Sequence, residues 1–363
     1  MSNPIPPPLS RYTSSTTLRE VSNLSLDLKE RLALARQQAA AAGSMPDSGR
    51  LSTGSNPSSA RLSSGGPTSN GLPVGRPSLG ARPSLTSSNP RSPQADRAHR
   101  NVPSRVSDIA QDIAETFLQR EKTMVRDANY LSNHTEVTEK MRTILVDWMV
   151  DVHLKFKLHE ETFFLAVDLV DRYLMTTKVP RLQLQLVGIT CILLAAKYEE
   201  IWPPEVKDCI HVSANTYTRD DILRMERAVT AALQFKLTTP TPFPLIARLF
   251  EVTDADELTR NTAFFFLEHA VLDYKHLNFL PSQLANASMY LANLTLRRSD
   301  PWHYTLQHYS TSTFEEFRHC AAALLEFTRL TTDSKYQAIR RKYSSSRLGE
   351  VSRMVLPVSL PEY

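Results

Sequence analysis

From residue 128 to residue 345 the chain repeats a single pattern. Apolar residues recur at helical spacing, short connections interrupt them, and no alternating strand pattern of useful length appears. Helical periods run through 140–157, 161–175, 183–199, 205–212 and 218–234, then through 241–250, 255–274, 281–297, 302–309, 313–331 and 333–342. The connections carry Pro180, Pro203-Pro204, Pro240, Pro242, Pro281 and Asp300-Pro301, residues that stop a helix by removing a donor and fixing φ. Two groups of about five helices meet at Thr238-Thr239-Pro240-Thr241-Pro242. The pattern predicts an all-α protein of two tandem five-helix lobes, 128–237 and 238–345, followed by an extension over 346–363. A separate helix is expected within 105–127. Ser107-Asp108 is its expected cap, and Ile109, Ile113 and Phe117 fall at i, i+4 and i+8.

Residues 1–104 have a different character. Ser, Pro, Gly and Ala dominate from about 37 onward, and such a segment buries too little apolar area to offset its ordering entropy, so it is expected to be disordered. Residues 1–105 hold thirteen Lys and Arg against five Asp and Glu, a surplus of eight positive charges. The whole chain is +4, so residues 106–363 are net −4 and the high pI belongs to the tail. With no basic–aromatic interleaving, direct nucleic-acid binding is not expected. Cys191, Cys209 and Cys320 form no Cys-x-x-Cys pair, which argues against zinc and a disulfide framework and fits a reducing compartment. Met1-Ser2-Asn3-Pro4 opens no signal peptide, and the apolar run 182–196 is too short for a bilayer span, so no membrane association is expected. Catalytic motifs are missing as well. There is no Gly-x-Ser-x-Gly, P-loop or Gly-x-Gly-x-x-Gly, and His159-Glu160-Glu161-Thr162 continues into Phe163 without the second His of a zinc protease. No cofactor, no metal and no enzymatic activity are expected.

Charges inside apolar helices are the informative exceptions. On 141–158, Ile144, Leu145, Trp148, Met149, Val152 and Phe156 form one stripe, while Arg142 and Asp147 stand where a helix is normally buried. Lys197 closes an otherwise apolar helix, and Glu226 sits between Met225 and the apolar Ala228-Val229. A desolvated charge needs a partner. For Lys197 and Glu226 that partner is either each other or another molecule.

The motifs carrying these residues resemble the cyclin family, and most closely its mitotic A/B types. They are Met141-Arg142-Thr143-Ile144-Leu145 with Asp147-Trp148; Leu184-Gln185-Leu186-Val187-Gly188; Ala196-Lys197-Tyr198-Glu199-Glu200-Ile201-Trp202-Pro203-Pro204-Glu205-Val206; Thr216-Tyr217-Thr218; and Pro240-Thr241-Pro242. His153-x-Lys155-Phe156 and Lys197-Tyr198 lean towards the B-type. The resemblance covers roughly 105–350 and is looser in the second lobe. It implies two cyclin boxes forming a regulatory subunit that pairs with a cyclin-dependent Ser/Thr kinase at G2/M, in nucleus and cytoplasm. Lys197 and Glu226 would bind the kinase's regulatory helix, with Leu194, Tyr198, Ile222 and Leu237 as apolar contacts and Ile113 and Phe117 contributing from the first helix. Arg142 and Asp171 would pair inside the lobe.

The same resemblance implies a docking patch for substrates or inhibitors bearing Arg-x-Leu, built from Met141, Ile144, Leu145, Trp148, Leu184 and Gln185 and flanked by Asp151. Plain core packing is the alternative; Met141, Ile144 and Trp148 are expected to be exposed. In the tail, Arg76-Pro77-Ser78-Leu79 and Arg82-Pro83-Ser84-Leu85 match the Arg-x-x-Leu destruction box through which ubiquitin ligases recognise mitotic cyclins, although the pattern is loose and Asn89 stands one residue early. Leu24, Leu28, Leu32 and Leu34 fit an export signal or a transient amphipathic helix, and Ser92-Pro93 is a minimal proline-directed phosphorylation site. Two other readings remain: a cyclin-box scaffold or transcription-associated protein, which would want a basic folded face, and an all-α enzyme with an unrecognised site.

Overall fold

The computed structural model describes residues 108–124 and 127–361. The tail motifs, namely Arg76–Leu79, Arg82–Leu85, the leucines of 24–34 and Ser92-Pro93, lie outside these residues. Among the described residues there is no strand.

A helix ahead of the two lobes, α1 (Ala110–Glu121), comes first. The first lobe follows as α2 (Glu139–Phe156), α3 (Glu160–Thr176), α4 (Leu184–Glu199), α5 (Val206–Val212) and α6 (Arg219–Ala232). The second is α7 (Pro242–Val252), α8 (Glu257–Leu272), α9 (Pro281–Thr295), α10 (Tyr304–Ser310) and α11 (Phe314–Leu330). Local chemistry sets most boundaries. The Thr138 side chain accepts the Met141 N–H to start α2, and Lys157 closes it in the left-handed region at φ 55°. Thr218 and Asp221 exchange bonds in a capping box at α6, and Asp256 caps α8. Pro242 and Pro281 sit in first turns, where the missing N–H costs nothing.

Two boundaries differ from expectation. The first helix begins at Ala110 with Ile109 at its N-cap and no side-chain cap, so Ser107-Asp108 does not start it. The pattern over 333–342 is not one helix. A 3₁₀ turn (Thr331–Asp333) is followed by a short α12 (Ala338–Lys342), because Gln337 ties its amide to the carbonyls of Thr331 and Ser334 and breaks the run.

Both lobes are built around their third helix. In α4 every residue from Leu184 to Ala196 is buried, beneath α2, α3, α5 and α6; a helix apolar on all sides belongs in a core. Gly188 lets α4 approach α2 closely: a Cβ there would stand 2.7 Å from Leu145 Cδ1. Helix α9 plays the same part in the second lobe, against α7, α8 and α11. The lobes meet through aromatic rings. Phe164 of α3 packs 6.4 Å from Phe243 of α7 and 6.5 Å from Phe264 of α8, measured between centroids. Helix α12 then fastens α2 to α8. Its Ala338 N–H donates to Asp147, Arg341 pairs with Asp151, and Lys342 and Tyr343 both donate to the buried Glu268.

Candidate functional site

Lys197 stands in the last turn of α4 and Glu226 on the neighbouring α6. Their Nζ and Oε1 atoms lie 2.5 Å apart, with side chains 44% and 18% exposed. A solvent-exposed pair of this kind is worth about 0–1 kcal/mol, so it does little to hold α4 to α6. The residues that follow Lys197 and α6 in the chain are unusual for a surface. Tyr198, Ile201, Trp202 and Phe235 are all exposed, Ile201 and Trp202 by nearly nine-tenths. Large apolar groups left in solvent beside an exchangeable charge pair in sequence make this a candidate interaction surface.

The backbone fixes the turn that carries Phe235. Gln234 and Phe235 both take left-handed φ, 54° and 57°, a conformation costly for residues with a side chain. The turn they form is anchored from behind. Arg172 Nη2 donates to the Lys236 carbonyl (2.7 Å), Thr239 Oγ1 to Asp168 (2.7 Å), and Arg120 Nη2 to the Thr238 carbonyl (3.3 Å). Tyr198 is hydrogen-bonded through its hydroxyl to Thr238 Oγ1. Glu200 accepts the His159 N–H and the Thr162 hydroxyl, and burial together with nearby Glu199 pushes the Glu161 carboxyl up to about 7.

The expected contact residues divide. Tyr198 is exposed and Leu237 half-buried, but Leu194 is 5% exposed and Ile222 fully buried. Those two are buried in the free chain; the helical period placed them near Lys197 and Glu226 but on the inner side. On α1, Ile113 is exposed and Phe117 half-buried against the core. Ile201, Trp202 and Phe235 were not singled out as site residues. Their signal was present: a Trp leading into Pro203-Pro204 has no helical stripe to join.

The expectation that Met141, Ile144 and Trp148 are exposed needs correction. Met141, Ile144 and Trp148 are 5%, 6% and 1% exposed, and Leu145, Leu184 and Gln185 are buried with them. Helix α2 is covered on several sides, by α4, α8 and α12 together, so residues outside the predicted stripe are buried too. Asp151, the flanking acid, is paired with Arg341 at 2.5 Å.

Arg142 and Asp171 lie deep in the molecule, 1% and 4% exposed. The pair is bidentate, Nε to Oδ1 and Nη2 to Oδ2 at 2.7 Å each, and Tyr130 donates its hydroxyl to the same carboxylate at 2.8 Å. Arg142 Nη1 reaches on to the carbonyls of Val271 (3.0 Å) and Leu272 (3.3 Å), at the end of α8. Burial alone would make the guanidinium easier to deprotonate; the Asp171 carboxylate overrides this and raises its pKa. This network therefore joins the two lobes as well as α2 to α3.

Among the described residues no group of His, Cys, Asp and Glu is placed to hold a metal ion, and no helix is long and apolar enough to cross a membrane. The three cysteines are buried and unbonded.

Two tandem five-helix lobes with this surface on the first match two family models: the cyclin N-terminal domain over residues 112–238 and the cyclin C-terminal domain over 239–357. The chain belongs to the cyclin family. Its relatives are of the mitotic B type. It is 42% identical over 227 residues to Cyclin-B1-5 of Oryza sativa subsp. japonica, covering 62% of this chain and 51% of that one. It is 39% identical over 251 residues to the G2/mitotic-specific cyclin-B of Dictyostelium discoideum, covering 69% and 58%. With the G2/mitotic-specific cyclin S13-7 of Glycine max it shares 39% identity over 229 residues, covering 63% of this chain and 88% of that one. The chain thus spans about half the length of the first two relatives. A viral cyclin from herpesvirus saimiri has the same fold, with a TM-score of 0.55 at 20% identity over 59% of this chain and 96% of the other.

Proposed function

We propose that this chain is a non-catalytic regulatory subunit that binds a cyclin-dependent Ser/Thr kinase and stabilises its active conformation at G2/M. The exposed Lys197–Glu226 pair, with Tyr198, Ile201, Trp202 and Phe235 left in solvent, carries the reading. Both charges are partnered in the free chain by a weak bond that costs little to exchange. A kinase regulatory helix could take each charge in turn and cover exposed apolar side chains. Activation would be a population shift, the subunit binding the active kinase better than the inactive one. Moving an equilibrium from mostly inactive to mostly active needs a preference of about 5 kcal/mol. The names of the relatives, G2/mitotic-specific cyclins, support the timing. Removal by a ubiquitin ligase through Arg76–Leu79 and Arg82–Leu85 is part of the proposal, supported by the repeated motif alone.

The test is a titration of the parent chain and of the Lys197→Ala/Glu226→Ala double variant into a monomeric cyclin-dependent kinase acting on a Ser-Pro peptide. Activation by the parent and its loss in a folded double variant are expected. A parent that activates no such kinase would refute the reading. For the tail, alanine at Arg76, Leu79, Arg82 and Leu85 together should lengthen the protein's half-life in mitotic extract; an unchanged half-life removes that part.

A further inference from the structure

Helix α9 is capped locally only in part: Gln283 Oε1 accepts the Leu280 N–H at 3.0 Å. Leu280 stands at its N-cap with no side-chain oxygen, and Pro281 contributes no N–H. The N–H of Ser282 is met from 161 residues away: Glu121, the last residue of α1, accepts it at 2.9 Å with Oε2 and accepts the Ser282 hydroxyl at 2.6 Å with Oε1. Glu121 is 3% exposed. A carboxylate withdrawn from water is costly unless it is hydrogen-bonded. Here two charge-assisted bonds and the positive end of α9 compensate it.

The neighbouring residue adds a second attachment. Arg120 donates to the Thr238 carbonyl in the linker between the lobes, and the Thr238 hydroxyl is the group bonded to Tyr198. The last turn of α1 is thus fixed to the second lobe and to the linker residue that Tyr198 bonds. Its first turn has no side-chain cap, and Ile109 and Ile113 project into solvent. Helix α1 cannot pivot without stranding a buried charge.

We propose that Glu121 is a positioning residue: by capping α9 it fixes α1, and with it Ile113 and Phe117, in the position from which they meet the kinase. The consequence rests on the kinase-binding reading; the attachment itself does not. The experiment uses the full chain with Glu121→Ala, Glu121→Gln and Ser282→Ala, and reads two quantities. Amide hydrogen exchange in the free protein should rise roughly tenfold across 110–121 and in the first turn of α9 in Glu121→Ala, with amides of α2–α8, α10 and α11 unchanged. Kinase titration should show the half-activating concentration raised roughly tenfold at the same maximal rate. Glu121→Gln and Ser282→Ala, each keeping part of the bonding, should give smaller shifts in the same direction, and they decide the matter if Glu121→Ala does not fold. Unchanged exchange in α1 overturns the attachment. Faster exchange with an unchanged half-activating concentration, or a fall in the maximal rate alone, overturns the presentation. A parent that fails to activate any kinase refutes the kinase reading, which is visible without any variant, and overturns the presentation with it; the exchange result still decides the attachment.

Discussion

Two cation–carboxylate pairs, each separated by 29 residues in sequence and each joining two helices of the first lobe, have opposite roles. Arg142–Asp171 is almost fully buried, bidentate, and extended by bonds to Tyr130 and to two carbonyls of the second lobe. Lys197–Glu226 is a single contact at the surface. The first pair cannot be exchanged, because either partner left alone would be an uncompensated buried charge. The second can, because water stabilises both of its charges when they separate. Spacing and charge are alike; surroundings make one pair structural and the other available for binding.

The contrast breaks most severely at the buried pair. Arg142→Ala should lower stability by about 3–5 kcal/mol, since it strands Asp171; chemical denaturation checks this, and a parent-like midpoint would dissolve the comparison. Trp148→Ala comes close behind. As a buried side chain it should also cost about 3–5 kcal/mol, whereas an exposed docking residue would leave the denaturation midpoint where it was.

Acid gives a third, graded effect. Burial holds His153 and His269 down at about 3, against an ordinary value near 6.5, with Lys342 opposing the charge on His153 and Arg340 that on His269. Between about pH 6.5 and 3 the unfolded chain binds these protons and the folded one does not, so stability falls as pH falls through that window. By pH 5 the loss should be about 2 kcal/mol per histidine. His153→Gln should flatten part of the slope in a series of denaturation curves.

The exposed pair should matter least to stability. Lys197→Ala/Glu226→Ala is expected to shift it by less than about 1 kcal/mol while abolishing kinase activation. A large loss of stability in that variant would make the two pairs alike after all.

Much of this was legible in the chain. The helical period, the breakers at Pro180, Pro240 and Pro281, and capping sequences such as Thr218-x-x-Asp221 act over a few residues, so they specify helices before anything packs. The motifs around Lys197 and Arg142 likewise marked charges that the structure finds paired, Lys197 with Glu226 and Arg142 with Asp171. Which side of a helix meets solvent was not legible. Leu194 and Ile222 turned inward, while Ile201, Trp202 and Phe235, lying outside any helical stripe, are exposed.

The amino-acid order by itself determined two groups of amphipathic or wholly apolar helices with their ends marked, and the cyclin motifs upon them. Tertiary structure alone decided that α2 is buried beyond its stripe, covering Met141, Ile144 and Trp148, and that Glu121 caps a helix 161 residues away. The physical reason is range. Capping and periodicity are local, but burial depends on what the far end of the chain lays over a surface, and no period along one helix encodes that cover.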